Sequence, residues 1–326
     1  MGYDCVNYIN QNFKYSELIE YLELLKYDKI NRNCLFYFNY EDYLSFSGIQ
    51  LNINLESKKP HIHLHTWISC SEHDIKYLNY TTKMIKKRFG GYFVSDYGKN
   101  RLLKNNECIE IKKSEAGCYL AYQRFVNNNM KLIQIFYEEC RPKSKNKNIE
   151  FLLDYAFNIK SDDLHNNLLV PFIVSVVEDY FRSTFVAILK YLPEEKKKLV
   201  FKNFKIHPEE LIKINKRETD VENAIAQSLN FQNLNIINNN FKLLDNKINL
   251  KKLYTGKIKN INNSLLIKVE KLFKQRHVLI HRTKLNYDYS DKKFLKDIVI
   301  LKNLVYITYK YLIIIYNWSK EYISKP

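Results

Sequence analysis

Glycine is confined almost entirely to the first part of the chain, and this distribution constrains the fold more than any other feature. All of the glycines except Gly256 lie at or before residue 117. Glycine weakens helices and commonly ends them, so a long stretch without it favours long helices. Apolar residues in this stretch recur at helical spacing and predict helices at 168–192, 194–204, 208–215, 218–229, 264–282 and 291–323. The C-terminal part is therefore predicted to be an all-α bundle.

The first part of the chain has a different pattern, in which short strand-like runs alternate with helices. Strands are predicted at 33–38, 49–55, 62–68 and 92–94. Helices are predicted at 72–89 and 115–126, and the first is bounded by the favoured N-cap residue Ser71 and by Gly90. This order predicts a compact α+β domain built on an antiparallel sheet with helices.

A predicted linker at 141–149 joins the two parts. The sequence there is basic and polar, and it is interrupted by Pro142, as is typical of segments between domains. The predicted domains are therefore 1–140 and 150–326.

The cysteines and the apolar segments indicate a cytoplasmic protein. The six cysteines include no Cys-x-x-Cys pair, which is expected of reduced thiols. The first residues contain no apolar run of signal-peptide length. The most apolar stretch, 303–318, is shorter than the ~20 residues of a membrane span and includes Lys310. We therefore predict a buried bundle helix there and no membrane partner.

The net charge favours a nucleic acid as partner. The chain has 52 Lys and Arg residues against 35 Asp and Glu residues, which gives a formal charge of +17. Basic side chains neutralise phosphates and release counterions, so this excess suits a polyanion. A lysine-rich solvated surface is the alternative explanation.

The predicted helix at 264–282 has three polar residues near the end of a mostly apolar sequence. His277 and His281 are four residues apart and share one face of the helix. Arg276 and His281 are five residues apart, which separates them by about 140° around the helix axis. A single helix therefore does not direct both side chains to one point. Either the arginine bends round the helix, or two copies of the chain combine their residues.

This pattern resembles the HEPN superfamily of ribonucleases. In that superfamily an Arg-x(4–6)-His motif lies late in a helix, the arginine is commonly followed by Asn, Asp or His, and two domains pair to form one site. The segment 176–182, with Glu178 at its centre, also resembles the acidic helix that packs beside the motif in many HEPN proteins. The resemblance covers about residues 150–326. It implies a homodimeric endoribonuclease in which Arg276 and His281 are catalytic and His277 and Glu178 are supporting.

The chemistry of these residue types suits RNA cleavage without a cofactor. Histidine can take the proton of the 2′-hydroxyl group, and a second histidine can protonate the leaving 5′-oxygen. Arginine can hold the scissile phosphate and stabilise its developing charge. The resemblance implies metal-independent cleavage that leaves 2′,3′-cyclic phosphate ends, and it suggests a toxin or an abortive-infection effector against phage. The alternatives are a helix-end histidine that contacts free carbonyl groups and a surface arginine.

The N-terminal part contains a second candidate site, on a predicted strand. His61, His63 and His65 share one face of that strand, and two such imidazoles can bind a divalent cation. The sequence Pro-His-apolar-His resembles the metal-binding motif of HUH rolling-circle replication initiators, which nick single-stranded DNA with a tyrosine. The resemblance implies Mg²⁺ or Mn²⁺ at His61 and His63, Tyr119 as the nucleophile, and an RRM- or HUH-like sheet. A half-exposed sheet face is the alternative explanation.

Three functions therefore remain open from the sequence. In the first, the helical domain is a HEPN ribonuclease and the N-terminal domain binds a nucleic acid. In the second, the N-terminal domain is a replication initiator and the helical domain serves dimerisation. In the third, the chain is a non-catalytic nucleic-acid-binding adaptor.

Overall fold

The computed structural model describes residues 2–10, 13–40, 42–57, 59–67, 70–104, 112–139, 161–204, 206–255, 265–282, 284–286 and 289–318. The chain divides into two compact units, Met1–Ala116 and Gly117–Pro326. An antiparallel sheet with helices forms the first unit, and in the second every element of secondary structure among the described residues is a helix. This confirms the predicted change from α+β to helical structure.

A seven-stranded antiparallel sheet forms the centre of the first unit. Its strands are β1 (Gly2–Tyr8), β2 (Asp28–Asn31), β3 (Cys34–Tyr37), β4 (Ile49–Asn54), β5 (His61–Trp67), β6 (Tyr92–Ser95) and β7 (Gly98–Lys99). The order across the sheet is β2-β3-β4-β5-β1-β6-β7. Strands β4, β5, β1 and β6, with the two helices described next, follow a split β-α-β arrangement in which β1 lies between β5 and β6.

Helices α1 (Tyr15–Leu24) and α2 (Glu72–Phe89) belong to the same hydrophobic core as one face of this sheet. Leu18 and Leu22 of α1 and Ile75 and Leu78 of α2 are buried in that core, as is Leu64 of β5. The alternate side chains of β5 and β1 point to the opposite face and are only partly buried. The second face of the sheet is therefore open to solvent.

Local sequence explains the bounds of α2. The hydroxyl of Ser71 accepts a hydrogen bond from the Asp74 backbone, and the Asp74 carboxylate accepts one from the Ser71 backbone. This capping box stabilises the first turn. At the other end Gly90 adopts a positive φ of 73°, a conformation that glycine tolerates without strain. The predicted helix at 72–89 is confirmed.

The second unit contains nine helices among its described residues. They are α3 (Lys113–Gln134, whose first residues lie before the boundary), α4 (Ser161–Lys190), α5 (Glu194–Phe201), α6 (Pro208–Asn215), α7 (Val221–Ser228), α8 (Leu234–Leu244), α9 (Leu250–Thr255), α10 (Leu265–Arg282) and α11 (Asp291–Tyr316). A π-helical turn, Ile135–Glu139, continues α3. Helix α4 lies at the centre and contacts α7, α8, α10 and α11. Its side chains Val174, Val177, Phe181 and Phe185 are fully buried.

The observed division of the chain precedes the predicted boundary at residue 140. Helix α3 packs within the helical unit, where Tyr122 stacks on Tyr309 with ring centroids 4.7 Å apart and Phe125 contacts Tyr180. Its buried apolar face thus belongs to the second core. The predicted linker at 141–149 lies outside the described residues.

Two further helices differ from their predicted bounds: α4 begins earlier, and α11 ends at Tyr316 instead of 323. Helix α4 begins at Ser161, not at 168, so Pro171 lies inside the helix instead of in its first turn. Helix α11 is long and apolar enough, by length and composition, to cross a membrane, and half of its most apolar window is buried. Leu304, Leu312 and Ile313 are among its buried residues.

Candidate functional site

Arg276 of α10 faces Glu178 of α4. The guanidinium Nη1 lies 3.8 Å from Glu178 Oε1, and the exposed fractions of the two side chains are 14% and 8%. Both side chains have lost most of their contact with water, and this desolvation costs free energy that their mutual attraction must offset. No hydrogen bond within the described residues reaches Glu178 Oε1 or Arg276 Nε. Both atoms are buried, so the charge contact between Glu178 and Arg276 is what offsets the cost of removing them from water.

The surroundings of Glu178 act on its charge in opposite directions. Burial raises the pKa of Glu178, while Arg276, a hydrogen bond from Gln232 and the charge of Arg182 lower it, and the net result is an increase. The amide of Gln232 lies 3.4 Å from Glu178 Oε2. Desolvation thus outweighs the attraction of the neighbouring cations.

A groove of about 710 Å³ opens beside this pair. Its lining combines apolar side chains, such as Val174 and Phe273, with two acids, Glu178 and Glu270, and with the basic residues Lys274, Arg276, His277 and Arg282. The concave shape and the basic lining suit a phosphate-bearing ligand. His281 does not line this groove.

The two histidines of the motif lie together on the exposed side of α10. The ring centroids of His277 and His281 are 4.5 Å apart. Both residues are exposed, so both are accessible to substrate. His277 therefore connects the groove that contains Arg276 with the surface that carries His281. Within the described residues no hydrogen bond or ion pair joins Arg276 to His281, in agreement with their separation around the helix.

The end of α10 is fixed by two buried amides of α4. Asn167 donates from Nδ2 to the Asn286 carbonyl group and accepts the Asn286 backbone N–H, each over 2.9 Å. Asn166 donates to the Tyr289 carbonyl group over 3.0 Å. These bonds hold the segment that follows the motif against the helix that carries Glu178. Sequence analysis did not single out either asparagine.

Exposed apolar side chains lie on both helices of the candidate site. Phe172 and Leu168 of α4 are 59% and 58% exposed, and Ile280 of α10 is 47% exposed. Single exposed apolar residues are common on protein surfaces, whereas a contiguous apolar patch marks a surface that binds another protein. These three residues are the candidates for such a patch on the two helices.

The second cluster lies on the open face of the sheet, where β5 pairs with β1. Asp4 Oδ1 lies 2.7 Å from His63 Nε2 and 2.8 Å from His65 Nδ1. One ligand atom from each of these three residues lies within 4.8 Å of the other two. Two imidazoles and a carboxylate at such distances could converge on a divalent cation.

Gly2 gives the His65 ring its space in this cluster. A Cβ atom at Gly2 would lie 2.2 Å from the Thr66 carbonyl oxygen and 2.6 Å from His65 Cε1. Only glycine fits at this point of β1. Burial raises the pKa of Asp4, but hydrogen bonds from His65 and His63 lower it, and the net pKa is below its usual value.

Of the predicted metal-binding pair, the structure places only His63 in the cluster. His61 and His63 were the predicted pair, but among the described residues the ligand cluster is Asp4, His63 and His65. The His61 ring instead lies near Lys59, with its Nδ1 2.9 Å from the Lys59 carbonyl oxygen, and it contacts Tyr8. Asp4 lies opposite His65 across the β1–β5 ladder. The third member of the cluster therefore comes from β1, a strand that sequence analysis did not predict.

Tyr119, the predicted nucleophile, lies on α3 in the helical unit, whereas the cluster belongs to the first unit. Burial raises its pKa, partly offset by a hydrogen bond with Gln123. A raised pKa disfavours the phenolate form that attacks phosphorus. The structure therefore gives no support to Tyr119 as an activated nucleophile.

Comparison of the chain with known protein families, with curated proteins and with solved structures found no match. The functional argument therefore depends on the residues and their geometry.

Proposed function

We propose that the helical unit is a metal-independent endoribonuclease of the HEPN type, with Arg276 and His281 as its catalytic residues. The observation that carries the proposal is the position of Arg276. Glu178 holds Arg276 at the wall of the groove. The rings of His277 and His281, both exposed, lie side by side on the same helix. A fixed guanidinium beside accessible imidazoles is the combination that 2′-hydroxyl attack on a phosphodiester requires.

The proposed active site is formed by two copies of the chain. In one chain Arg276 is turned toward Glu178 and His281 lies outside the groove, so the two residues do not converge. A two-fold axis near the exposed Phe172 would bring the His281 of each copy toward the groove of the other. The substrate phosphate would then lie between the arginine of one copy and the histidine of its partner.

Each residue has a distinct role in this mechanism. His281 takes the proton from the 2′-hydroxyl group, whose oxygen attacks phosphorus as the bond to the 5′-oxygen breaks. A second imidazole protonates the departing 5′-oxygen, which gives a 2′,3′-cyclic phosphate and a 5′-hydroxyl end. Arg276 holds the non-bridging oxygens, and Glu178 positions Arg276. Cleavage of this kind suits a toxin or an anti-phage effector.

The test is cleavage of labelled RNA in the presence of EDTA by wild type and by single variants. We expect wild type to cleave, and Arg276→Ala and His281→Ala each to lose about 10²–10⁴-fold in rate, with an unchanged melting curve for His281→Ala because His281 is exposed. His277→Asn is the matched variant and should lose less, since a polar side chain at this place is accepted in the family that the motif resembles. Wild-type cleavage that EDTA abolishes, or a fully active His281→Ala variant, would contradict the proposal.

A second function is favoured by one observation, the Asp4–His63–His65 cluster on a sheet with split β-α-β order. Replication initiators of the HUH type, which the histidine motif resembles, use a divalent cation to polarise the scissile phosphate of single-stranded DNA. The test is incubation with labelled single-stranded DNA and Mn²⁺. A protein–DNA adduct that is lost in Tyr119→Phe would support the initiator, whereas unchanged RNA cleavage by Tyr119→Phe is expected if the ribonuclease is the activity.

A further inference from the structure

The groove beside Arg276 has a second wall, which the proposed chemistry does not use. Its amide side chains lie on the segment between α7 and α8 and in the first turn of α8, and they belong to Asn230, Gln232, Asn233 and Asn235. All of these residues are exposed. An amide side chain carries both a hydrogen-bond donor and an acceptor. This amide wall can therefore bind the edge of an unpaired base.

Two contacts fix the amide wall relative to the catalytic arginine. The Nε2 atom of Gln232 lies 3.4 Å from Glu178 Oε2, and Arg276 Nη1 lies 3.8 Å from Oε1 of the same carboxylate. Across the groove, Asn235 Nδ2 donates to Glu270 Oε1 of α10 over 3.3 Å. One carboxylate thus separates the amide wall from the arginine. A phosphate held by Arg276 would have its own nucleoside beside the wall.

Two of the amides are oriented by bonds within the chain. As the N-cap of α8, Asn233 accepts at Oδ1 from the backbone N–H groups of Asn235 and Ile236, over 2.8 and 3.2 Å. Asn230 accepts at Oδ1 from the Gln232 backbone N–H over 2.6 Å. Because both side-chain carbonyl oxygens are engaged, the Nδ2 donor is the group that each residue can offer to a ligand. The wall therefore contributes two donors.

Apolar side chains provide a surface for the face of a base. Ile236, which lines the groove, is 38% exposed, while Val174 and Phe273 are buried at its floor. Apolar surface with a few directed polar groups is typical of ligand pockets, and the groove volume of about 710 Å³ lies within their usual range. The groove therefore has room for a base as well as for the phosphate.

We infer that the amide wall selects the base next to the phosphate held by Arg276, and that it favours uracil and guanine over adenine. The inference rests on the ribonuclease function proposed above. Guanine presents two acceptors, O6 and N7, and uracil presents two carbonyl oxygens, which match the donors of Asn230 and Asn233. Adenine has no carbonyl oxygen and presents an amino donor instead. Cytosine, with one carbonyl and one amino group, should be intermediate.

The first test measures binding without cleavage. Labelled tetranucleotides of 2′-O-methyl uridine and of 2′-O-methyl adenosine, which a 2′-hydroxyl nuclease cannot cut, are titrated with the full-length protein and followed by fluorescence anisotropy. Wild type should bind the uridine probe about fivefold to a hundredfold more tightly than the adenosine probe, the range for one base-specific contact. Equal affinities, or no binding of either probe, would overturn the inference.

The decisive variants exchange a donor for an acceptor and keep the local structure. Asn233→Asp and Asn230→Asp retain the Oδ1 atoms that accept the backbone N–H groups, and Asp caps a helix as well as Asn does. Each should lower the ratio of uridine to adenosine affinity to about one, or reverse it. The matched control is Asn239→Asp, since Asn239 is exposed on α8 and does not line the groove. It adds the same charge and should leave the ratio unchanged. An unchanged ratio in both groove variants would overturn the inference.

Mapping the cleavage sites on an RNA of mixed sequence separates this inference from the proposed function. Wild type should cut beside uracil and guanine, and Asn233→Asp should shift cleavage toward adenine. Cleavage with no base preference would contradict the amide wall alone. If wild type cuts no RNA but prefers the uridine probe, and Asn233→Asp removes that preference, the ribonuclease is refuted while the base-selective wall stands.

Discussion

Arg276 lies 3.8 Å from Glu178 and, within the described residues, makes no hydrogen bond or ion pair with His281, the other half of its motif. The arginine is thus fixed by its own chain at the wall of the groove, while the histidine is presented outward beside exposed apolar residues. Because the catalytic proposal needs both residues at one phosphate, it needs a second copy of the chain. The predictions below test the anchoring, the interface and the metal cluster separately.

The first prediction concerns the pH dependence of stability at Glu178. Burial raises its pKa above the usual value of 4.5 despite the opposing effects of Arg276, Gln232 and Arg182. A carboxyl group with a raised folded pKa stabilises the fold at low pH, and that contribution is lost as pH rises through the folded pKa. Glu178→Gln removes this titration. We therefore expect its melting temperature, relative to wild type, to increase as pH rises from 4.5.

The control for this measurement is Asp179→Asn, which removes a neighbouring carboxylate that is half exposed and paired with Arg124. A melting temperature of Glu178→Gln that decreases relative to wild type as pH rises would contradict the sign. In RNA cleavage Glu178→Gln should lose activity because Arg276 loses its anionic anchor, although the melting temperature at neutral pH does not fall.

The second prediction concerns the amide that holds the end of α10. Asn167→Ala leaves the N–H and carbonyl groups of Asn286 without the bonds they make to this side chain. Loss of such bonds in a buried place costs about 1–3 kcal/mol. Asn167→Asp keeps the acceptor but buries a carboxylate against the Asn286 carbonyl group, so it should destabilise the fold at neutral pH at least as much as Asn167→Ala. Urea unfolding of the three proteins checks the order, and an Asn167→Ala variant as stable as wild type would show that the clamp contributes nothing.

The third prediction concerns the interface. Phe172→Asp places a charge on the exposed apolar surface of α4, so it should convert a dimer into a monomer and reduce RNA cleavage in parallel. Leu211→Asp is the matched control, because Leu211 is 52% exposed on α6. Light scattering after gel filtration measures the mass. A monomeric Phe172→Asp variant that cleaves at the wild-type rate would refute a shared site.

The fourth prediction concerns the cation. Asp4→Asn and His65→Ala should each weaken Mn²⁺ or Zn²⁺ binding by about tenfold or more, because each removes one of three ligands. His61→Ala is the control and should bind as wild type does, since His61 lies outside the ligand cluster. Calorimetric titration of the full-length protein measures the affinity. If His61→Ala loses binding while Asp4→Asn retains it, the assignment of ligands is wrong.

Sequence patterns predicted most elements but missed strands β1, β2 and β7 and helices α1, α8 and α9. Helix α2 is bounded by Ser71 and Gly90 as predicted, because capping chemistry is local. Strand β1 escaped prediction because its fully buried positions are Cys5 and Asn7, which give no apolar alternation. Asp4 was missed for the same reason. Helix α4 was predicted too short because its first turns, at 161–167, are polar, and two of these residues, Asn166 and Asn167, serve as tertiary hydrogen-bonding groups.

The candidate site was predictable only where it is local to one helix. The angle between Arg276 and His281 follows from helical geometry, and the proximity of His277 and His281 follows from their spacing. The pairing of Glu178 with Arg276 and the groove beside it depend on how α4 and α10 pack. Cross-strand proximity of Asp4 to His63 and His65 likewise depends on the register of β1 against β5, which no single segment specifies.

The most direct test of the account is complementation between two inactive variants. Arg276→Ala and His281→Ala are co-expressed with different tags, or mixed after dissociation, and assayed on labelled RNA in EDTA. In a shared site, each mixed dimer contains one site with both Arg276 and His281 intact and one site with both replaced. About half of randomly paired dimers are mixed, so the mixture should regain about a quarter of the wild-type rate. Each variant alone should remain inactive. A mixture with mixed dimers present that is as inactive as either variant alone would contradict the composite ribonuclease site.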